Sequence, residues 1–455
     1  MILYAFALFP FAAWFAFCSR YPVRAVLTVV VVLTFGEEIL SLAYNNGAPL
    51  HLVRDFLTAK DVLAWILVFA LAVRGLRDRQ RPFDAVGYTF FYVLILVGFF
   101  ALGESPAPRL TQVESIRSAY VPILGFTTAA LLTAEERMRA AKGIVPIITA
   151  GAVLSLAQLA LPASVLNSTI GVGNYWVLVK QVPGYVDPTT GLPGNFFTST
   201  GFPRLTGTFG DPLSAGEIIG ATLVLAMAYR SYLRFPRIQM AILSVALLLT
   251  FTRDGWFLAL FGWVAISVTR DKFIATVRRF YAAIILGALV VAVVRPVRGY
   301  FTSIFNGTSS STTLHSEAFT RSFSLHFGFL GSGWGTGGSF AEQSYHLAVT
   351  SESVFVDLLA QIGWIGTAAI LLALGLAIAR EARRSPMQTV VIAIVLAEIV
   401  SAFVSENLFA FNSGYLPLFI LPLIAAAPRT PKTASAARPS EARDTAHLSF
   451  AELAP

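Results

Sequence analysis

Charge is what this chain has least of. Only 13% of its 455 residues are Asp, Glu, Lys or Arg, against about a quarter in an ordinary soluble domain. A surface facing water along the whole chain is therefore excluded. Cysteine is nearly absent: Cys18 stands alone, so there is no internal disulfide, and it is expected to be a packing residue. Histidine is scarce too, and His315, His326 and His346 share one segment without the spacing of metal ligands. The glycine-rich run GSGWGTGG at 331–338 has no strand before it and no Lys-Ser/Thr after it. That excludes a nucleotide P-loop and leaves a tightly turned loop. No internal repeat points to an inverted-repeat transporter.

What the chain has in quantity is apolar sequence. Hydrophobic residues make up 56%, and the mean hydropathy is +0.70. Apolar runs of about 17–20 residues, long enough to span a bilayer, recur throughout. They predict an all-α, polytopic integral membrane protein with roughly 12–13 transmembrane helices. Spans are expected near 1–17, 24–42, 59–74, 84–102, 119–133, 144–161, 213–229, 237–252, 255–269, 280–294, 352–379, 387–403 and 414–427. The first run lacks a basic leader and a small-residue cleavage site, so it reads as a retained span.

The net charge of +8 does not signal nucleic acid, because Lys and Arg fall in short loops between apolar segments. Arg20/Arg24, Arg74/Arg77, Arg137/Arg139, Arg230/Arg234, Arg270/Lys272 and Arg380/Arg383 occupy every second loop. By the positive-inside rule those loops and the tail are cytoplasmic. The other side carries two long connections, about 163–212 and 295–351, rich in Gly, Ser, Thr, Asn and aromatics and so expected to be ordered and functional. Residues 1–427 read as one transmembrane domain, and 428–455 as a disordered extension.

Within this apolar chain, SESVFVDLLAQIGWIGT at 351–367 is conspicuous. Ser353, Asp357 and Gln361 recur at i, i+4 and i+8 and share one helical face. A polar stripe is costly against lipid, so this face should look into protein or a wet cavity. Gly363 and Gly366 would let a neighbouring helix approach closely. Glu352 at the helix start is open to two readings, an acid stabilised by the helix dipole or a general base. Arg204 in RLTGTFGDP, Arg253 in FTRDGW and Arg321 in HSEAFTRSF lie on the side that should be poor in arginine. Each could be an interfacial snorkelling residue. Together they form a candidate clamp for a phosphate or pyrophosphate, through bidentate charge-assisted hydrogen bonds. Beside such a cluster, the general-base reading of Glu352 is preferred. Glu217 and Glu398 are intramembrane acids without nameable partners, and Glu37 and Glu38 are expected to cap a helix end.

The order of RLTGTFGDP (204–212), TRDGW (252–256), Arg321 with GSGWG (331–335), and ESVFVDLLAQIGWIGT (352–367) resembles the O-antigen ligase and polysaccharide polymerase superfamily of bacterial membrane glycosyltransferases. The likeness covers roughly the second half of the chain. Ligases of that family carry His, then Asn, Ser or Gln, then nine residues and GxxG. Here Ser353, Gly363 and Gly366 keep the spacing, but Glu352 stands at the His position, which favours the polymerase side. The resemblance implies glycosyl transfer from undecaprenyl-pyrophosphate-linked glycan donors to a glycan acceptor at the periplasmic face of the bacterial inner membrane. It also implies inversion and no metal or other cofactor, with the lipid bilayer as surroundings and a chain-length regulator as a candidate partner. The bottom-up chemistry is compatible. A glycosyl pyrophosphate carries a good leaving group, so positive charge and one base suffice, and no Asp-x-Asp occurs in the chain. The expected activity is polymerisation of repeat units into an exopolysaccharide, capsule or O-antigen. The alternatives are a ligase acting on lipid A or protein, and a lipid-linked sugar transporter with broken helices near the midplane.

Overall fold

The computed structural model describes residues 2–78, 83–180, 186–198, 200–270, 327–338, 353–383, 385–405, 408 and 411–428, with a few single residues between 278 and 320. Thirteen helices of ten or more residues are described. They are α1 (Ile2–Arg20), α2 (Pro22–Asn45), α3 (Leu50–Arg77), α4 (Phe83–Leu102), α5 (Arg109–Ala119), α6 (Val121–Ala130) and α7 (Ala134–Leu159). After the first long connection come α8 (Pro212–Ala228), α9 (Pro236–Thr250), α10 (Arg253–Arg270), α11 (Val354–Arg383), α12 (Gln388–Val404) and α13 (Phe411–Ala425). Two isolated β-bridges, Val186–Pro193 and Phe197–Pro203, are the only extended pairings among the described residues. The fold is all-α and membrane-compatible. Helices α2, α3, α7 and α11 are long and apolar enough to cross a membrane, and α8, α9 and α13 are shorter apolar helices. The expected spans coincide with described helices, apart from 280–294, which lies outside the described residues. The span expected at 119–133 is interrupted at Tyr120, where α5 gives way to α6.

Helix α8 is apolar all round and buried over nearly its whole length, which makes it central. It packs on α7, α9, α10 and α13, while α6 lies along α13. The approach of α8 to α10 is backbone to backbone. A Cβ on Gly220 would sit 2.6 Å from the Gly255 carbonyl oxygen, and one on Gly255 would sit 2.2 Å from that of Gly216. This small-xxx-small face lets two apolar helices touch without a hydrophobic drive between them. The perimeter, by contrast, exposes large apolar side chains such as Phe90 at 67% and Leu372 at 59%, a surface suited to lipid rather than water.

The arginine-rich loops meet at one end. Arg74 pairs with Glu136 at 2.7 Å, and Arg137 pairs with Glu381. Arg137 also donates to the carbonyls of Ala129, Ala130 and Leu132, capping α6. Arg270 donates to those of Met227 and Ala228 at the end of α8. Cations there satisfy the orphan carbonyls and oppose the negative helix ends. Helix α7 starts at the same end with a capping box between Thr133 and Glu136. Thr133→Ala should cost about 1 kcal/mol, read as a lowered thermal midpoint of the detergent-solubilised protein. An unchanged midpoint would contradict the cap. The connection after α7, the Arg204 and Arg253 turn and the start of α11 lie at the opposite end.

Candidate functional site

The polar stripe on α11 faces protein, as its cost in lipid demands. Ser353, Asp357 and Gln361 are each buried. Asp357 and Gln361 face the glycine run, while Ser353 faces α12. Gly363 has φ 65° and ψ −171°, a conformation open essentially to glycine alone, and it interrupts α11. Residues 328–336 strap into the break. The amides of Ser332 and Gly333 donate to the carbonyls of Ala360 and Gln361 at 2.8 and 2.9 Å. On the other side of the break, the Ile365 amide donates to the Phe329 carbonyl at 3.1 Å. The Gly335 amide donates to Gln361 Oε1 at 3.0 Å. Backbone groups freed by the interruption are thus satisfied within protein, the condition for irregular backbone at membrane depth. GSGWG is a tightly turned loop, as expected, and its amides serve α11. Gly363 marks a break rather than a thinning of a continuous helix, whereas Gly366 packs closely, with Phe99 Cζ 2.9 Å from where its Cβ would lie.

The second group of candidates sits at the turn between α9 and α10. Arg204 donates Nε to the Thr250 carbonyl at 2.8 Å and Nη1 to that of Asn195 at 3.1 Å. Its Nη2 reaches the Phe251 carbonyl at 3.4 Å and Thr252 Oγ1 at 3.1 Å. Four protein acceptors engage most of its five N–H groups, so Arg204 braces the turn that presents Arg253. Thr252 Oγ1 in turn donates to the Pro212 carbonyl at 2.7 Å. Asp211 caps α8, accepting from the amides of Leu213 and Ser214 at 2.9 and 2.8 Å. The positive ends of α8 and α10 therefore lie side by side, with half-buried Arg253 as the first residue of α10.

Helix α12 joins the two groups. Glu398 lies within electrostatic reach of Asp254, next to Arg253. One turn further on, about 6 Å along the axis, the Ala402 carbonyl accepts from Ser353 Oγ at 3.2 Å. Phe355 stacks on Phe403 with centroids 4.2 Å apart. The start of α11 and the start of α10 thus share one end of the bundle, on adjacent turns of α12. Glu352 and Arg321 lie outside the described residues.

Sequence reasoning missed a third feature. The connection after α7 folds back over α2, with Asn45 Nδ2 donating to the Ser168 and Thr169 carbonyls at 3.0 and 3.1 Å and Ser41 Oγ to that of Ile170 at 2.9 Å. Beneath it opens a cleft of about 180 Å³. Glu37 and Glu38 line it and do not cap a helix end, since α2 runs on to Asn45. Glu37 pairs with Lys180 at 2.6 Å, and Gln158 Nε2 donates to Glu38. Lys180 lies 4.2 Å from the Trp176 ring centroid, and Trp176 lines the same cleft. Burial, and then the Glu37 carboxylate, push the pKa of Tyr175 above the ordinary phenol range, so its hydroxyl keeps its proton. Arg204 belongs to this wall as well as to the Arg253 turn. The available signal was two adjacent acids, FGEEIL, inside an apolar run. No protein-family model matches this chain, and no curated protein matches it.

Proposed function

We propose that the chain is a membrane glycosyltransferase. It would join undecaprenyl-pyrophosphate-linked oligosaccharide repeat units into an exopolysaccharide, capsule or O-antigen at the extracytoplasmic face of a bacterial inner membrane. The observation that carries this reading is the meeting of Arg253, two helix N-termini and the start of α11 at one end of the bundle. Helix N-termini and guanidinium groups favour anions, and a diphosphate at the membrane boundary is the anion a lipid-linked sugar brings. In this scheme Arg253 and Arg321 hold the diphosphate, and Arg204 keeps the α9–α10 turn in place. Glu352 removes the proton from the acceptor hydroxyl, whose oxygen attacks the anomeric carbon from the side opposite the diphosphate. The bond from that carbon to the phosphate oxygen breaks, and the lipid diphosphate departs with the electron pair. Cationic groups act most where charge develops on the leaving group.

The position of the α11 break supports transfer over transport. From Trp364 to Ala379, just before Arg380, the helix has roughly 16 residues, about 24 Å, which is most of a bilayer core. The break then falls at a boundary and not at the midplane, where interrupted transporter helices hold cargo.

Glu352→Gln and Arg253→Ala, each produced at normal protein levels in the native cell, should lower long-chain polymer on the order of 100-fold, as loss of a general base or a charge clamp does. Normal polymer length from both variants would rule the mechanism out. A deletion strain that still makes long polymer but cannot attach it would instead indicate ligation.

A further inference from the structure

The arginine-rich end carries the same turn twice. SRYPVR (19–24) leads into α2, and RFPR (234–237) leads into α9. In each, an aromatic residue precedes the proline that opens the helix, and the backbone matches. Tyr21 has φ −131° and ψ 60°, and Phe235 has φ −133° and ψ 59°. Both rings are exposed, and arginines lie over them. Arg20 and Arg24 are 5.5 and 5.3 Å from the Tyr21 centroid, and Arg234 is 5.1 Å from that of Phe235.

Helix α7 joins the two turns, since it packs on both α2 and α9. A Cβ on Gly143 would lie 2.6 Å from Leu27 Cδ1, on the turn of α2 that follows Arg24. The adjacent Lys142 lies 5.6 Å from the Tyr232 ring in the α8–α9 loop. Arg24, Arg139, Lys142, Arg230, Arg234 and Arg237 are all exposed at this end. Among the described residues, only Arg139 of these has a carboxylate partner, Glu135, and neither turn contains an acid. Beside the cations stand exposed apolar side chains, Phe235 at 53% and Ile238 at 61%.

Charge and hydropathy together select the occupant. These residues sit at the ends of apolar helices, the depth at which headgroups meet acyl chains. A nucleic acid or an acidic protein segment would neutralise the arginines but would set polar groups against Ile238. A zwitterionic lipid would cover the apolar side chains and leave the cations uncompensated. A phospholipid of net negative charge does both. Its phosphate accepts from the guanidinium groups, its acyl chains cover Phe235 and Ile238, and each cation near the surface adds to the attraction.

We propose that the two Arg-aromatic-Pro turns beside α7 hold anionic phospholipid headgroups of the cytoplasmic leaflet, one at the start of α2 and one at the start of α9. Stacking on Tyr21 and Phe235 keeps the guanidinium groups at the membrane boundary instead of in bulk water. This surface lies at the opposite end of the bundle from Arg253 and is independent of the transfer reaction.

The test places the full chain in nanodiscs of equal phosphatidylcholine and phosphatidylglycerol, then identifies by native mass spectrometry the lipid that stays bound on release. Wild type should retain phosphatidylglycerol in preference, up to two molecules per chain. Arg234→Gln combined with Arg237→Gln should lower that preference on the order of tenfold. Arg24→Gln weakens the other turn by itself, so it stays informative if the α9 variant does not fold. Arg77→Gln combined with Arg383→Gln removes as many charges from the same end, outside both turns, and should leave the preference unchanged. Equal losses in the two double variants would reduce the effect to general surface charge and overturn the proposal. A wild type without preference for phosphatidylglycerol would overturn it too. Binding of soluble polyglutamate through Arg234 and Arg237, with phosphatidylglycerol ignored, would assign the surface to an acidic protein partner instead.

Discussion

Gly363→Ala should remove most of the folded protein. At φ 65° and ψ −171° an alanine is strained by about 1–3 kcal/mol before any contact is considered. Its Cβ would also lie 2.4 Å from the Gly331 amide nitrogen and 2.4 Å from the Phe329 carbonyl oxygen. Both are backbone atoms of the strap, so neither can swing aside as a side-chain end would. The strap would have to leave the break, exposing the carbonyls of Ala360 and Gln361. Together these effects should cost on the order of 4 kcal/mol or more, the range reserved for strain and broken buried networks. Gly375→Ala is the control on the same helix. Its Cβ would meet nothing within 4 Å, and a mid-helix glycine replaced by alanine gains about 0.5–1 kcal/mol. The measurement is the monodisperse fraction and thermal midpoint of detergent-solubilised protein. If the two variants behave alike, the strap does not hold α11.

Arg204→Ala should have the next largest effect, and it separates a brace from a clamp. Removing the guanidinium strips the carbonyls of Asn195, Thr250 and Phe251 of a shared donor. Buried acceptors left without partners cost about 1–3 kcal/mol each, so a loss of about 3 kcal/mol is expected. Phe251 lies in this turn with φ 52°, a left-handed conformation that a non-glycine residue keeps only when its surroundings hold it. Arg204→Lys should rescue little, because a single ammonium cannot span four acceptors that a planar fork reaches. A brace predicts that thermal midpoint and polymer output fall together. A midpoint held at the wild-type value while polymer is lost would make Arg204 a direct ligand of the diphosphate.

These two positions show how far the sequence was legible. RLTGTFGDP and TRDGW were recognisable as unusual, and the structure does bring Arg204 against Thr252, beside Arg253. The residues that accept from Arg204 were not foreseeable, since they are mostly carbonyls, which every residue has. In α11, the i, i+4, i+8 stripe correctly predicted a protein-facing side. The break at Gly363 was invisible because GWIG reads equally as a closely packed helix face, and only the presence of the 328–336 strap decides between the two. Glu37 and Glu38 were misread as caps because their partners, Lys180 and Gln158, lie more than 100 residues away in sequence.

By itself the sequence determined a bundle of apolar helices, the gathering of arginine-rich loops at one end, and the burial of the Ser353–Gln361 stripe. Each follows from the transfer free energy of individual side chains, which depends on residue type and local periodicity. The tertiary structure alone decided that α11 is interrupted, that Arg204 braces a turn, and that two acids of α2 line a cleft. Hydrogen bonds and ion pairs are short-ranged and need both partners, so they exist only once the path of the chain brings distant segments together.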